Sequence, residues 1–329
     1  MDNLTHSLVG LTAAKTGLER LSPGATLLCV LAANAPDSDV VVGVFGDRWD
    51  LLQHHRGITH SIAGTAVLAL LLPLIFYGVD RLWARVRHRP PKTNLRGLLI
   101  VSFIVSATHP LLDWTNNYGI RFLLPWNPRW FYGDLVFIVD PFIWLILIAG
   151  LLVIWRLRAE TKAKIAFASF AVVVAYWGML AFAHAGAAAT GSEEAQRIAA
   201  SNGETISRLA AMPTLANPLR WDCVFETDKA TYRFRVALNG QTPAGRVIRY
   251  PKPSGPLDAA LREVAGEKPA RVFLGFARFP VARLSDPSCT TQTLLQLADL
   301  RYTEPGASRG TFALELPVDC PNEELTESR

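Results

Sequence analysis

Side chains able to bind metal ions recur along the chain from His6 to Asp140. The most specific pair is His109 and Asp113, because residues four apart on a helix lie on the same face. An imidazole and a carboxylate at that spacing form half of a site suited to zinc or manganese. Asp37-x-Asp39 adds two carboxylates within one short turn, a common way to hold a divalent ion.

A third polar group runs from His55 to His60. Its two imidazoles flank a glycine turn, and Arg56 carries a guanidinium shaped for bidentate contact with phosphate or carboxylate. Each residue also has an ordinary alternative, since a lone histidine often caps a helix end. Asp37 could close a turn, and Asp140 could start a helix. Taken together, these residues favour a shared metal site.

The composition indicates that a membrane surrounds these groups. The sequence has 329 residues, of which 50% are hydrophobic and 19% are charged, with a mean hydropathy of +0.22. Soluble chains usually carry about 25% charge, so a purely soluble, disordered or coiled-coil protein is disfavoured. Apolar stretches suited to a hydrocarbon core of about 30 Å predict spans over 61–79, 98–112, 135–155 and 165–185.

Two shorter apolar stretches precede these spans, within residues 6–36. They are broken at Ser22-Pro23-Gly24, which predicts a helical hairpin that enters the membrane partway and returns. No basic stretch and small-residue cleavage site come first, so a removable signal peptide is not expected.

Basic residues predict the orientation in an inner (plasma) membrane. One connection between spans carries Arg81, Arg85, Arg87, Arg89, Lys92 and Arg96, and another carries Arg156, Arg158, Lys162 and Lys164. The positive-inside rule places both connections in the cytoplasm. The segment 113–134 and everything after residue 185 then lie outside. If the hairpin begins and ends outside, every candidate ligand reaches that one membrane face.

The composition changes after residue 185. A polar, alanine-rich linker helix is expected over 186–218, followed by an extracytoplasmic β-rich (α+β) domain over 219–329. Alternating runs such as Trp221–Glu226 and Arg271–Phe279 predict its strands. An oxidising compartment allows one disulfide among Cys223, Cys289 and Cys320, and the spacing does not select the pair. The predicted fold is an all-α multi-span membrane helical bundle followed by this small soluble domain.

Four motifs occur in order along the chain: Thr5-His6-x3-Gly10, Pro36-Asp37-x-Asp39, His55-Arg56-Gly57-x-Thr59-His60-Ser61 and His109-x3-Asp113. Together they resemble the YdjM-like proteins, a LexA-regulated, inner-membrane-associated family of metal-dependent hydrolases, over about residues 1–185. That family is distantly similar to the zinc-dependent phospholipase C and P1 nuclease group, whose zinc ions activate water against phosphodiesters. No His-x3-Glu pair follows Asp113 here, so one or two metal ions are expected rather than three.

The leading hypothesis is a membrane-bound hydrolase that directs metal-activated water at a phosphoester of a lipid or lipid-linked substrate. Arg56 would hold the anionic group of the substrate, and Asp140 would orient water or act as a base. The expected cofactor is one or two divalent ions, zinc or alternatively manganese. The expected ligands are His6, Asp37, Asp39, His55, His60, His109 and Asp113.

Other function classes remain open at this point. A non-catalytic membrane module would use the metal to hold its helices together and the outer domain to bind a protein partner; a closed four-ligand shell would favour it. A transporter fits less well, because the ionisable residues lie at one face. Nucleic-acid binding is not expected, because the basic residues flank the spans. A headgroup-level belt or a substrate platform would each explain the aromatic residues Trp114, Trp126, Trp130, Phe131 and Tyr132.

Overall fold

The computed structural model describes residues 1–156, 159–240, 242–243, 245–306 and 312–320. Arg158, used above to predict the orientation, lies outside the described residues, as do 307–311 and 321–329 of the predicted β-rich domain. The chain separates into two compact units. The first comprises Met1–Val42, His54–His184 and Pro213–Pro218, and the second comprises Gly43–Gln53, Ala185–Met212 and Leu219–Arg329.

The described chain is helical up to residue 202, apart from short turns and the connection between residues 115 and 140. Two 3₁₀ segments, Ala35–Val40 and Ile58–His60, carry candidate site residues. The helices are α1 (Asn3–Lys15), α2 (Ala25–Asn34), α3 (Val41–Phe45), α4 (Arg48–His54), α5 (Ile62–Val86), α6 (Leu95–Trp114), α7 (Pro141–Arg156) and α8 (Ala159–Asn202).

The predicted hairpin corresponds to α1 and α2, which pack closely because small residues line their contact. A Cβ on Gly10 would lie 2.6 Å from the carbonyl oxygen of Cys29. At the hairpin turn, a Cβ on Gly97 would overlap the carbonyl group of Leu21, so the turn rests against the start of α6. The two open ends of the hairpin therefore lie toward the C-terminal end of α6. The buried core here comprises Ala13, Ala14, Ala25, Leu28, Cys29, Ala32, Ala33, Leu98, Val101 and Val105.

Apolar helices of membrane length are present. Among the described residues, four segments are long and apolar enough to cross a membrane by length and composition: Ala25–Phe45, Ile62–Val86, Leu95–Trp114 and Thr161–Asn202. α7 is apolar but shorter, and it begins at Pro141 rather than at residue 135. Large apolar side chains on the outer face of α5, such as Ile75 and Val79, are more than half exposed. The helical membrane bundle predicted from the sequence is confirmed.

The linker helix predicted over 186–218 is wrong from residue 203 onward. α8 runs unbroken from the apolar stretch to Asn202, so no separate linker helix begins at 186. The helix ends because Gly203 has φ +60°, a left-handed conformation that glycine adopts readily. Asp228 then accepts a hydrogen bond from the Thr205 amide at 2.7 Å, and the first strand follows.

The C-terminal region consists of two small antiparallel sheets and two short helices. One sheet has the order β1-β2-β3-β4 and the other has the order β5-β6-β7. This confirms the predicted β-rich (α+β) class. The elements are β1 (Ile206–Thr214), β2 (Asn217–Thr227), β3 (Ala230–Ala237), β4 (Ile248–Pro251), α9 (Pro256–Val264), α10 (Lys268–Phe276), β5 (Pro280–Leu284), β6 (Gln292–Asp299) and β7 (Ala313–Asp319).

One predicted strand is a helix in the structure. The run Arg271–Phe279 was expected to be extended, but Lys268–Phe276 forms α10. Its buried residues Val272, Phe273 and Phe276 repeat at intervals of three and four, which is the spacing of one helix face. Short apolar runs are ambiguous between strand and helix, and burial of this face selects the helix.

The cysteines of the C-terminal region divide between a disulfide and a buried thiol. Cys289 and Cys320 are bonded, with their Cα atoms 5.8 Å apart. Cys223 is free and fully buried in β2, and burial raises the pKa of its thiol to about 12. A thiol held neutral in this way reacts poorly, so Cys223 belongs to the core.

Candidate metal centre

Four acidic and imidazole side chains from three segments converge at one end of the helix pair α5 and α6. The Nε2 atom of His60 lies 3.1 Å from an Asp37 carboxylate oxygen and 3.4 Å from Asp113 Oδ2. The Nε2 atom of His109 lies 3.6 Å from Asp37 Oδ1 and 3.5 Å from Asp113 Oδ2. All four residues are buried, and one ligand atom from each lies within 4.8 Å of the others. We call these residues the four-residue cluster.

The protonation of His109 follows from its partner. Its Nδ1 atom donates a hydrogen bond to the backbone carbonyl of Ala33 at 2.6 Å, because a carbonyl oxygen can only accept. In the neutral ring, Nε2 then carries a lone pair, which points into the cluster. The Ala33 carbonyl is available because the last turn of a helix leaves its carbonyls without intrahelical partners.

His60 is held in the same way from its other side. Its Nδ1 atom lies 3.2 Å from Asp39 Oδ2, and Thr59 also donates to that oxygen, at 3.1 Å. When Asp39 accepts the Nδ1 proton, Nε2 of the neutral ring becomes an acceptor facing Asp37 and Asp113. An outer carboxylate that fixes the orientation of a ligating imidazole is a common feature of metal sites.

The cluster therefore brings several acceptors together, and the Arg56 guanidinium and the Met1 ammonium contact it from one side, both at Asp113 Oδ1. On the other side, Asp37 Oδ2, Asp113 Oδ2 and Nε2 of His109 are buried without a hydrogen-bond partner among the described residues. Buried carboxylates and lone pairs this close repel one another unless a cation or protons lie between them. Two carboxylates and two imidazoles suit a borderline divalent ion. The residues present thus fit a bound metal ion.

The segment from His55 to Ser61 folds so as to present His60. Arg56 has φ +54°, and a Cβ on Gly57 would overlap the carbonyl oxygen of His54, so the chain turns sharply after α4. One 3₁₀ turn follows, and the Ser61 hydroxyl then accepts the Gly64 amide at 3.0 Å as the N-cap of α5. The sequence motif is therefore a turn, a candidate ligand and a cap in succession.

Gly64 lets the first turn of α5 lie directly against this segment. A Cβ at residue 64 would overlap the carbonyl oxygen of Ile58, at the start of the 3₁₀ turn that carries His60. No sequence pattern marked Gly64 as part of the site.

His6 lies beside the cluster. Its ring stacks on the ring of His109, with centroids 3.8 Å apart and planes 15° apart. Its Nε2 atom is 3.4 Å from Asp113 Oδ1, and neither ring nitrogen has a hydrogen-bond partner among the described residues. His6 is thus placed as an additional ligand or as a support for His109.

Asp39 and His55 form a second group that shares His60. The Nδ1 atom of His55 lies 3.0 Å from Asp39 Oδ1, and the Arg56 amide donates to Asp39 Oδ2 at 3.1 Å. The side chain of His55 is 28% exposed, in contrast to the buried cluster. The assignment of Asp39 and His55 as metal ligands stays a prediction. Their contacts also allow them to position His60.

The two residues predicted to act on substrate contact protein groups in the structure. Asp140 belongs to neither ligand group; it accepts the Phe142 amide at 2.9 Å as the cap of α7, and the Tyr176 hydroxyl at 3.0 Å. Arg56 is buried, and its guanidinium contacts Asp113 Oδ1 at 3.2 Å and Asn116 Oδ1 at 2.9 Å. Arg56 therefore orients Asp113 from inside the protein. The catalytic roles given to both residues stay predictions.

Sequence reasoning missed a cation near His55. A Cβ on Gly57 would lie 3.2 Å from an Arg121 terminal nitrogen, so this guanidinium lies beside the His55–His60 turn. Arg121 also stacks on Trp130, at 4.8 Å from its ring centroid. Tyr118 packs edge-on against His55, with centroids 5.7 Å apart. The connection after α6 thus places a cation and aromatic rings next to the more exposed histidine.

Substituting Asp39 should weaken metal binding without abolishing it. In Asp39→Asn the amide is a poorer acceptor for the His60 Nδ1 proton, so the ring loses its fixed orientation. We expect metal affinity to fall about 10–100-fold, the usual effect of losing an orienting carboxylate. Competition with a chromophoric chelator measures this change. Asp80→Asn, at the other end of α5, serves as the control and should leave affinity unchanged.

Comparison with known proteins finds similarity over the helical region. A family model described as YdjM inner membrane protein matches residues 1–187. The chain is 27% identical over 188 residues to "Uncharacterized protein YfhP" of Bacillus subtilis (strain 168), which covers 54% of this chain and 53% of that protein. It is 28% identical over 133 residues to "Inner membrane protein YbcI" of Escherichia coli (strain K12), covering 40% of this chain and 70% of that protein.

These similarities have a limited extent. The chain spans about half the length of YfhP. No solved structure matches, and the distant similarity to the phospholipase C and P1 nuclease group stays a prediction.

Proposed function

The chain belongs to the YdjM inner membrane protein family, and we propose that its four-residue cluster binds a divalent metal ion, with zinc as the first choice. The proposed function of this metal site is hydrolysis of a phosphoester. The proposed substrate is a membrane lipid or a lipid-linked phosphate. The observation that carries this proposal is the convergence of buried acceptors from Asp37, His60, His109 and Asp113. When bound, a divalent ion would polarise the phosphoryl oxygen and lower the pKa of water.

The residues around the cluster have separate tasks in this proposal. Asp39 and the Ala33 carbonyl hold the two imidazoles with Nε2 facing inward. Arg56 fixes Asp113 through its contact with Oδ1. His55 is partly exposed and its Nδ1 atom is paired with Asp39. We propose that its Nε2 atom takes a proton from the attacking water.

An anionic substrate is supported by the surroundings of His55. Arg121 lies beside the turn that carries His55 and stacks on Trp130. A guanidinium can contact two oxygens of one phosphate group. We propose that Arg121, rather than the buried Arg56, contacts the phosphate of the substrate. The cluster lies at one end of α5 and α6, which are apolar and of membrane length, and this supports a lipid origin for the phosphate.

We propose that the cluster and the C-terminal region face the extracytoplasmic side. Six cations from Arg81 to Arg96 lie in the last turns of α5, the turn that follows and the start of α6, whereas the cluster lies at the N-terminal end of α5. Positive charge favours the cytoplasmic side, so the cluster would lie outside. The Cys289–Cys320 disulfide also supports an oxidising compartment for the C-terminal region.

The proposed function is tested by hydrolysis assays on the full chain purified in detergent and loaded with zinc or manganese. The substrates are bis(p-nitrophenyl) phosphate and phosphatidylglycerol in mixed micelles. We expect metal-dependent cleavage that chelation removes and metal restores. His55→Gln should retain its metal and lose about 100-fold or more in kcat, as expected for loss of a general base.

A structural metal is the second candidate, because burial of all four cluster residues is also typical of a closed, non-catalytic site. It would hold the hairpin to α5 and α6. Full metal occupancy with no cleavage of either substrate would support this alternative and contradict hydrolysis. Loss of metal in His55→Gln would instead make His55 a ligand and remove it as the base.

A further inference from the structure

The end of α5 remote from the four-residue cluster carries a pocket lined mainly by cations. Its volume is about 410 Å³, and its lining comprises Arg81, Ala84, Arg85, His88, Arg89 and Pro91. Among the residues that the structure describes, none of the acidic ones lines it. We propose that this pocket, which we call the basic pocket, binds the phosphate group of an anionic phospholipid. This proposal is independent of any hydrolytic activity.

The arrangement of α5 and the following turn builds the basic pocket. Arg81 and Arg85 are one helical turn apart, so they lie on the same face of α5. The chain then reverses at His88, which has φ +45°. This reversal carries Arg89 back alongside the helix, where its guanidinium binds Asp80 at 2.7 Å. Three guanidinium groups thus border one cavity.

The nearby acid cannot neutralise the basic pocket. Asp80 is the single acidic residue from 80 to 96. Its Oδ1 atom accepts from Arg89, and its Oδ2 atom accepts the amides of Lys92 and Thr93 at 2.7 and 2.8 Å. Among the described residues no carboxylate lies within ion-pair distance of Arg81 or Arg85; Arg81 contacts the Tyr77 ring and hydroxyl. The pocket therefore keeps a local excess of positive charge.

The chemistry of the lining favours phosphate. Guanidinium groups form bidentate, charge-assisted hydrogen bonds with phosphate oxygens. Orientation by the positive-inside rule needs cations in the connection but does not require them to converge on one cavity. Basic pockets beside membrane helices are known binding sites for anionic lipid headgroups.

The surroundings favour a lipid as the source of that phosphate. Leu82 and Val86, on the last turns of α5, are 64% and 63% exposed. A second cavity of about 440 Å³ shares Arg89 and is walled by apolar residues, among them Ile75 and Val79. Apolar surface therefore adjoins the basic pocket, as acyl chains attached to a bound headgroup would require.

The test compares charge removal inside and outside the pocket in the full chain purified in detergent. Phosphatidylglycerol is titrated in mixed micelles, with phosphatidylcholine and inorganic phosphate as separate arms. Bound lipid is counted by native mass spectrometry, and the midpoint of thermal unfolding is followed. The pocket variant is Arg81→Gln/Arg85→Gln. The matched control is Arg87→Gln/Arg96→Gln, which removes the same charge from the same connection.

We expect phosphatidylglycerol to bind and stabilise the wild type and the control, and affinity to fall about thirtyfold in the pocket variant. Arg85→Gln alone should lower the affinity for phosphatidylglycerol about fivefold. This single variant replaces the double variant in the test if the double variant does not fold. Equal losses in the pocket and control variants would contradict the proposal, since bulk charge would then explain binding. Equal stabilisation by phosphatidylcholine or by inorganic phosphate would also contradict it.

Discussion

His109→Ala/Asp113→Ala should leave the purified protein with less than about a tenth of the wild-type metal content. The double variant removes two of the four cluster ligands. One of them, the Asp113 carboxylate, contacts both His60 and His109. Elemental analysis after desalting measures the loss. A metal at about 1,000 times its dissociation constant stabilises a folded chain by about 4 kcal/mol. Chelation should therefore lower the unfolding midpoint of the wild type and not that of the variant.

Two further variants make this result interpretable. Asp113→Ala removes the carboxylate that the buried Arg56 and Met1 ammonium both contact, so this change destabilises the fold by itself. Asp37→Asn removes a cluster ligand and leaves the Asp113–Arg56 contact in place, so it should lose metal with the fold retained. Asp140→Asn is the matched control, because asparagine also caps helices and Asp140 lies outside both ligand groups. Wild-type metal content in both ligand variants, or equal loss in the Asp140 control, would contradict the assignment.

Gly64→Ala should disrupt the site through the backbone. The added methyl group would overlap the carbonyl oxygen of Ile58, so the first turn of α5 and the 3₁₀ turn bearing His60 must separate. Overpacking of this kind costs about 1–3 kcal/mol of stability. Displacement of His60 should also weaken metal affinity about 10–100-fold. Thermal unfolding in detergent and chelator competition measure the two effects.

Gly78→Ala is the internal control for this prediction. Gly78 lies on the same helix, and a Cβ there would meet nothing within 4 Å. Alanine has the higher helix propensity, so this variant should be neutral or slightly more stable. If Gly64→Ala retained wild-type stability and metal affinity, the close approach of α5 to His60 would not be needed for the site.

Local spacing and membrane topology were sufficient to predict much of the candidate site. His109 and Asp113 share a helix face because of the helical repeat alone. The positions at which the apolar stretches begin and end also predicted that Asp37 and His60 would lie near that pair, at the same membrane face. These inferences depend on helix geometry and charge bias, both of which can be read from residue types.

The remaining features depend on contacts that leave no side-chain signal. The Ala33 carbonyl that fixes His109 is a backbone group at a helix end. The internal role of Arg56 follows from its burial against Asp113 and Asn116, since an exposed arginine would have the same sequence. In α10, Val272 and Phe276 fit a strand or a helix until their shared buried face is known.

The bond between His109 and Ala33 joins groups 76 residues apart in the chain. The hairpin that carries Ala33 and Asp37 is synthesised well before α6. During biogenesis it must therefore wait for α6 to enter the membrane before the Nδ1 proton of His109 and the ion-binding set are in place. Loading of the ion would thus be a late event that marks completed assembly, and a nascent chain truncated before residue 109 should not retain it.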